Sequence, residues 1–199
     1  MSDGFATADR GAALLGGRSS GISLVAGGDV TLHPNAIVRT GTGAISIEAG
    51  RDIVLLAATQ SADHDPVVYT AGSRGALAPG FGGAPVGLPL GEFPVDGGDV
   101  HLSAGRDILA PFAVQTTSAW LFRYGSASWN QRASDSTIVD QTSWSVVYRN
   151  FESGVGALGG GDVRVDAGRD VVQLQVAIPT TGQLTTAPGQ VSQPGDNKK

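Results

Sequence analysis

The sequence predicts an all-β chain folded as a parallel β-helix, a solenoid interrupted by two long insertions. Three observations carry this expectation. A nine-residue unit occurs four times, beginning at Ile22, Ile45, Val100 and Val163. Its first two copies start 23 residues apart, about one turn of a solenoid. Gly and Pro together make up 40 of 199 residues, a share that weighs against a helical protein.

The four units are Ile22-Ser-Leu-Val-Ala-Gly-Gly-Asp-Val30, Ile45-Ser-Ile-Glu-Ala-Gly-Arg-Asp-Ile53, Val100-His-Leu-Ser-Ala-Gly-Arg-Asp-Ile108 and Val163-Arg-Val-Asp-Ala-Gly-Arg-Asp-Val171. Their first and third residues are aliphatic and alternate with mostly polar ones, so they line the inner face of a short strand. Ala continues that face where space is tight. Gly then supplies a positive φ or lets backbones pass closely, and Asp accepts hydrogen bonds from N–H groups in the corner. The closing Val or Ile starts the next strand, again facing inward.

After the first unit, Val30, Leu32, Ile37 and Val38 supply the remaining strands of the turn, broken by His33-Pro34-Asn35. Thr40-Gly41-Thr42-Gly43 forms the corner before Ile45. The later units start 55 and 63 residues apart, too far for single turns, so insertions are expected at about 56–95 and 111–158. The first holds five prolines and Gly80-Phe81-Gly82-Gly83, and reads as an irregular surface loop. The second contains all three Trp and eight of the twelve aromatic residues. Within it Trp120, Phe122 and Tyr124 alternate with other residues, as do Trp144, Val146 and Tyr148, which predicts a hairpin with its aromatics on one face. The resulting organisation is an N-terminal flank at 1–20, a β-helix domain at 21–182 and a disordered tail at 183–199.

Composition narrows the function. Thirteen basic against eighteen acidic residues give a net charge of −5 and a pI near 5.0, which argues against nucleic acid as a partner. The absence of Cys removes thiol catalysis, Cys-ligated zinc and disulfides. No apolar run approaches the roughly 18 residues of a membrane helix, so the chain is not expected to span a membrane. Met1-Ser2-Asp3-Gly4 does not open a signal peptide.

The Ala-Gly-Arg-Asp-aliphatic units, each preceded by a short alternating strand, resemble the filamentous haemagglutinin family of bacterial two-partner-secreted exoproteins. Gly159-Gly160-Gly161-Asp162-Val163 and Ile178-Pro179-Thr180-Thr181-Gly182 are similar to segments of its large members. The likeness covers about half the chain. It implies a right-handed β-helical fibre, exported through an outer-membrane two-partner-secretion transporter to the cell surface or medium, and serving in adhesion, biofilm formation or contact-dependent inhibition. The family's amino-terminal secretion hallmark is not matched by His33-Pro34-Asn35. The expectation is therefore an internal or C-terminal shaft fragment of a longer protein, whose host-cell or glycan receptor the sequence does not name.

Candidate chemistry is sparse, and the expected function is non-catalytic, with no cofactor and no metal. Gly27 and Asp29, Gly50 and Asp52, Gly105 and Asp107, and Gly168 and Asp170 repeat at one place in the unit, as turn chemistry requires. A catalytic carboxylate pair would need two unlike environments. Arg51, Arg106 and Arg169 stand beside three of these Asp residues and are placed to form a ladder of ion pairs. Asp63-His64-Asp65 is a tight His/carboxylate group without a third orienting ligand, and reads as solvated loop. His33 and His101 stand alone. No phosphate-binding glycine loop or nucleophile elbow occurs. Trp120, Phe122, Tyr124, Trp129, Trp144 and Tyr148 are the candidates for contact with a glycan or protein, with Trp129 near the expected tip. The competing reading makes all of them except Trp129 the hairpin's own small core. An enzymatic alternative, a β-helical polysaccharide lyase or hydrolase, would use Asp135, Asp140 or Glu152. A second alternative is the stalk of a contact-dependent inhibition exoprotein.

Overall fold

A computed structural model of the protein describes residues 20–74, 94–113, 115–124 and 143–183. Among the described residues the fold is all-β, apart from one helical turn and one 3-10 turn. In order, the strands are β1 (Ile22–Ala26), β2 (Val30–Leu32), β3 (Ile37–Thr40), β4 (Ile45–Ala49), β5 (Ile53–Leu55) and β6 (Val67–Thr70). A two-residue pair follows, β7 (Ser73–Arg74) with β8 (Pro94–Val95), and then β9 (Val100–Ala104) and β10 (Ile108–Leu109). The helical turn α1 (Thr117–Trp120) leads into β11 (Leu121–Tyr124), and β12 (Ser143–Val146) returns to the 3-10 turn Tyr148–Asn150. The chain then runs through β13 (Gly154–Ala157), β14 (Val163–Ala167), β15 (Val171–Val172), β16 (Val176–Ala177) and β17 (Gly182–Gln183).

Twelve of these strands build three parallel sheets in one repeating order: β1-β4-β9-β14, β2-β5-β10-β15 and β3-β6-β13-β16. Four successive tiers of three strands therefore each contribute one strand to each sheet. The register follows the repeat residue for residue, with Ile22, Ile45, Val100 and Val163 side by side, and Ala26, Ala49, Ala104 and Ala167 likewise.

Alternation explains the burial. Ile45, Ile47, Ile53, Val100, Leu102 and Ile108 of the first two sheets are fully buried, and they share one core with Leu32 and Leu55 of the second sheet and Val68 and Val155 of the third. Burying each such aliphatic side chain contributes roughly 1.5–3 kcal/mol. Among the described residues the outer tiers are covered on one side only, which leaves Leu24 37% and Val171 50% exposed.

The corners have local causes. His33-Pro34-Asn35-Ala36 is a type II turn: Pro34 presets φ, Asn35 sits at φ 65°, and the Ala36 N–H donates to the His33 carbonyl at 3.0 Å. The Asn35 carboxamide then ties this corner to the next tier, accepting from the His64 N–H at 3.0 Å and donating to Asp63 Oδ1 at 2.8 Å. Thr40 and Thr70, which pair in register at the end of β3 and β6, donate to the Gly43 and Gly98 carbonyls that open the following tiers.

Both insertions are shorter than the sequence predicts. Val67–Thr70 lies inside the stretch expected to be an irregular loop, yet it is a completely buried strand between β3 and β13. Its Val-Val-Tyr-Thr run shows no polar alternation because both faces are covered. Gly154–Ala157, inside the second expected insertion, is likewise a buried strand of the third sheet.

Candidate functional site

Two sites emerge from the folded chain: a clasp of charged side chains along one corner column, and an aromatic layer over the third sheet. In the clasp each Asp serves the tier that follows it. Asp29 receives the Arg51 guanidinium through two hydrogen bonds, 3.0 Å from Nε and 2.8 Å from Nη2, and the Asp52 N–H at 3.2 Å. One tier on, Asp52 receives Arg106 at 3.1 and 2.5 Å and the Asp107 N–H at 3.2 Å. Asp107 in turn holds Arg169 through Nε at 3.1 Å and through Nη2, and the Asp170 N–H at 3.2 Å. The fork is bidentate in all three, and every carboxylate also caps a corner. These aspartates share one environment and one task, with nothing to set any of them apart as an acid or a base.

Gly50, Gly105 and Gly168 occupy the tightest part of the column. A Cβ on any of them would approach the carbonyl oxygen of the preceding tier's glycine closer than 3.0 Å. None of the three has a positive φ, so close approach rather than backbone handedness demands glycine here. Gly27, in the first tier, faces nothing within 4 Å.

Hydrogen bonds from the Arg51 guanidinium and the Asp52 N–H hold the Asp29 carboxyl below its ordinary pKa. Arg106, followed by the Asp107 N–H, does the same for Asp52. A carboxyl whose folded pKa is depressed stabilises the fold above its unfolded value of about 3.9, and that stabilisation is lost as pH falls through the folded value. The protein is therefore expected to lose thermal stability below about pH 4, and the loss to shrink in Asp29→Asn/Asp52→Asn. Melting curves from pH 6 to pH 2.5 check this. Equal acid sensitivity in both proteins would refute the clasp as its cause.

His101, expected to stand alone, has a partner on the adjacent tier. Its Nε2 lies 2.9 Å from Asp166 Oδ2, and Arg164 Nε donates to the same oxygen at 2.7 Å. Hydrogen bonds from Arg164 and then His101 lower the Asp166 pKa. Asp63, His64 and Asp65 do not converge on a common point. Asp63 accepts from Asn35, Asp65 from the Ala58 N–H at 2.8 Å, and His64 Nδ1 lies 3.5 Å from Glu152 Oε1. Among the described residues no group of three His, Asp or Glu side chains is placed to hold a metal ion. Asp135 and Asp140 lie outside the described residues.

The aromatic layer seals the outer face of the third sheet. Tyr69 of β6 stacks on Tyr148, with ring centroids 5.8 Å apart and planes 9° from parallel. Phe151 meets Tyr69 edge-on at 5.7 Å, and Trp120 meets Phe151 edge-on at 5.4 Å. The Arg39 guanidinium lies 5.6 Å from the Tyr69 centroid and 5.5 Å from that of Tyr148, within cation–π range. Tyr148 also donates its hydroxyl to the Ala71 carbonyl at 2.5 Å. Val67, Ala71, Val146 and Leu158 complete this second core.

Trp120 and Tyr148, two of the six candidates for ligand contact, are therefore buried packing residues and present no open ring face. β11 and β12 do form the expected antiparallel hairpin, with β17 on its far edge. Its register sets Phe122 opposite Ser145, Tyr124 opposite Ser143 and Trp144 opposite Arg123, so Trp144 is not paired with either aromatic of β11. Trp129 lies outside the described residues.

Beside the layer is a shallow cleft lined in part by Asn35, Ile37, His64, Arg149 and Glu152, with a volume of about 20 Å³. That is room for about one water molecule. Sequence reasoning did not single out Tyr69, Arg39 or Phe151. The signal was the parallel between Ile-Val-Arg-Thr at 37–40 and Val-Val-Tyr-Thr at 67–70, which occupy matching register positions. Among the described residues no helix is long and apolar enough to cross a membrane. No protein-family model, curated protein or solved structure matches the chain.

Proposed function

We propose that the protein is a non-catalytic shaft segment of an exported, adhesin-like fibre of the filamentous haemagglutinin type. In this reading the three sheets are the faces of a right-handed parallel β-helix, and each tier is one of its turns. The observation that carries it is one register shared by four tiers, with the same Asp-Arg clasp at each of the three junctions between them, which gives a scaffold lengthened by adding like units. The aromatic hairpin is locked to one face by its own core and offers a rigid support for loops. Loops held in this way are where binding residues concentrate. A two-partner-secretion transporter would export the parent protein, and attachment to a host-cell or glycan receptor would be its task.

The test is localisation in the native cell, by fractionation combined with protease treatment of intact cells and an antibody to this chain. Surface-exposed, protease-sensitive material is the expected result, and would direct glycan- and cell-binding assays to residues 111–158. Protease-protected protein confined to the cytoplasm would overturn the exported-adhesin function.

A further inference from the structure

Three kinds of link join the stacked strands, and their lengths differ in a regular way. Between the first and second sheets the link is three residues long in every tier, at 27–29, 50–52, 105–107 and 168–170. Between the second and third sheets it takes four residues at 33–36, 11 at 56–66, 44 at 110–153 and three at 173–175. From the third sheet back to the first it takes four at 41–44, 29 at 71–99 and five at 158–162. All added length therefore enters beside the third sheet, and none enters at the clasp.

Hydrogen bonding supplies the cause. In the second, third and fourth tiers every N–H of the clasp link donates to the tier before it. Gly50, Gly105 and Gly168 donate to the Ala26, Ala49 and Ala104 carbonyls at 2.8, 2.9 and 3.0 Å. Arg51, Arg106 and Arg169 donate to the Gly28, Arg51 and Arg106 carbonyls at 3.1, 2.9 and 2.8 Å. The Asp52, Asp107 and Asp170 N–H groups reach the Asp29, Asp52 and Asp107 carboxylates, each at 3.2 Å. An added residue has to break this series and pull the Asp-Arg fork out of line. The link 173–175 is just as short but is held differently. Among the described residues none of its N–H groups donates to another tier. Its ties are the Gln175 carboxamide on the Ala113 carbonyl and the Gln175 carbonyl, which accepts from the Val155 N–H at 3.0 Å.

We propose that the clasp link is a closed seam, and that this scaffold carries its additional segments only through the links on either side of the third sheet. A lengthened segment is accommodated there and rejected at the seam, whatever its sequence. Material presented by such tiers is therefore presented from the third-sheet side. That consequence rests on the shaft reading above. The seam itself rests on hydrogen bonding alone, so its test and the localisation test fail separately.

The experiment inserts one flexible Gly-Ser segment of about eight residues into the full chain at three places in turn. Two lie in the seam, between Arg106 and Asp107 and between Arg169 and Asp170. The third lies between Gln173 and Leu174, in the same tier as the second and in a link of the same length. Thermal melts followed by circular dichroism read the outcome. The Gln173/Leu174 insertion should melt within about 3 °C of wild type, since lengthening a loop costs little. The Arg106/Asp107 insertion, bonded to tiers on both sides, should lower Tm by about 10 °C or abolish folding. The Arg169/Asp170 insertion should fall between them, with at least about twice the loss of its neighbour four residues on. A wild-type melt for either seam insertion would overturn the proposal. So would an equal loss at Gln173/Leu174, which would make short link length, and not the seam's bonding, the cause.

Discussion

Truncating Tyr148 to alanine is expected to cost about 3–5 kcal/mol of stability, the range for emptying a buried aromatic site. For a chain of this length that is a fall in Tm of roughly 10 °C. The size follows from what one ring does. It stacks on Tyr69, sits beside the Arg39 guanidinium, and anchors the returning hairpin to the Ala71 carbonyl. Tyr148→Phe keeps the ring and loses only the hydroxyl bond, so it should cost about 1 kcal/mol. The alanine variant should also be cleaved faster by trypsin at Arg123 and Arg149, because the hairpin is held to the sheet through this layer. Thermal melts and limited proteolysis read both effects. A loss below about 1 kcal/mol for Tyr148→Ala would mean that the layer is not a core.

Gly105→Ala is the second large effect, and the corner column contains its own control. The added methyl group at Gly105 would overlap the Gly50 carbonyl, and neighbouring backbone on both sides resists a shift. Overpacking of this kind costs typically about 1–3 kcal/mol. Gly27 has the same place in the repeat, but among the described residues no tier precedes it and its Cβ position is open. Gly27→Ala should therefore stay within about 0.5 kcal/mol of wild type. Chemical denaturation of the two variants side by side decides the matter. Equal losses would show that glycine is needed for its backbone freedom and not for close approach.

The first sheet was legible because its strands repeat in sequence and alternate in character. Position by position, the aliphatic residues of the unit face inward, and the Gly-Arg-Asp corner lies where its chemistry requires. The third sheet was not legible, for opposite reasons in its two inner strands. Val67–Thr70 is covered on both faces, so the period-two signal disappears. Gly154–Ala157 is half glycine, and resembles a loop until its setting is known. A Cβ at Gly156 would crowd the Leu158 side chain, which fills the second core. The hairpin was visible as two aromatic runs, but its register was not, because no residue in Leu121–Tyr124 or Ser143–Val146 dictates which pairs oppose. The His101–Asp166 contact joins residues 65 apart, and could be found only by laying the third and fourth units side by side.

Register between tiers is the central claim, and engineered disulfides test it directly because the chain has no cysteine of its own. Glu48 and Ser103 are in-register neighbours on β4 and β9. Neighbouring strands lie about 4.8 Å apart, within the span a disulfide can bridge. Glu48→Cys/Ser103→Cys should therefore oxidise to a single intramolecular bridge, read as a mobility shift reversed by reductant. Glu48→Cys/His101→Cys is displaced by two residues and lies beyond that reach, so it should remain reduced. Efficient bridging of the displaced pair, with none in the aligned pair, would contradict the stacked tiers and the scaffold function built on them.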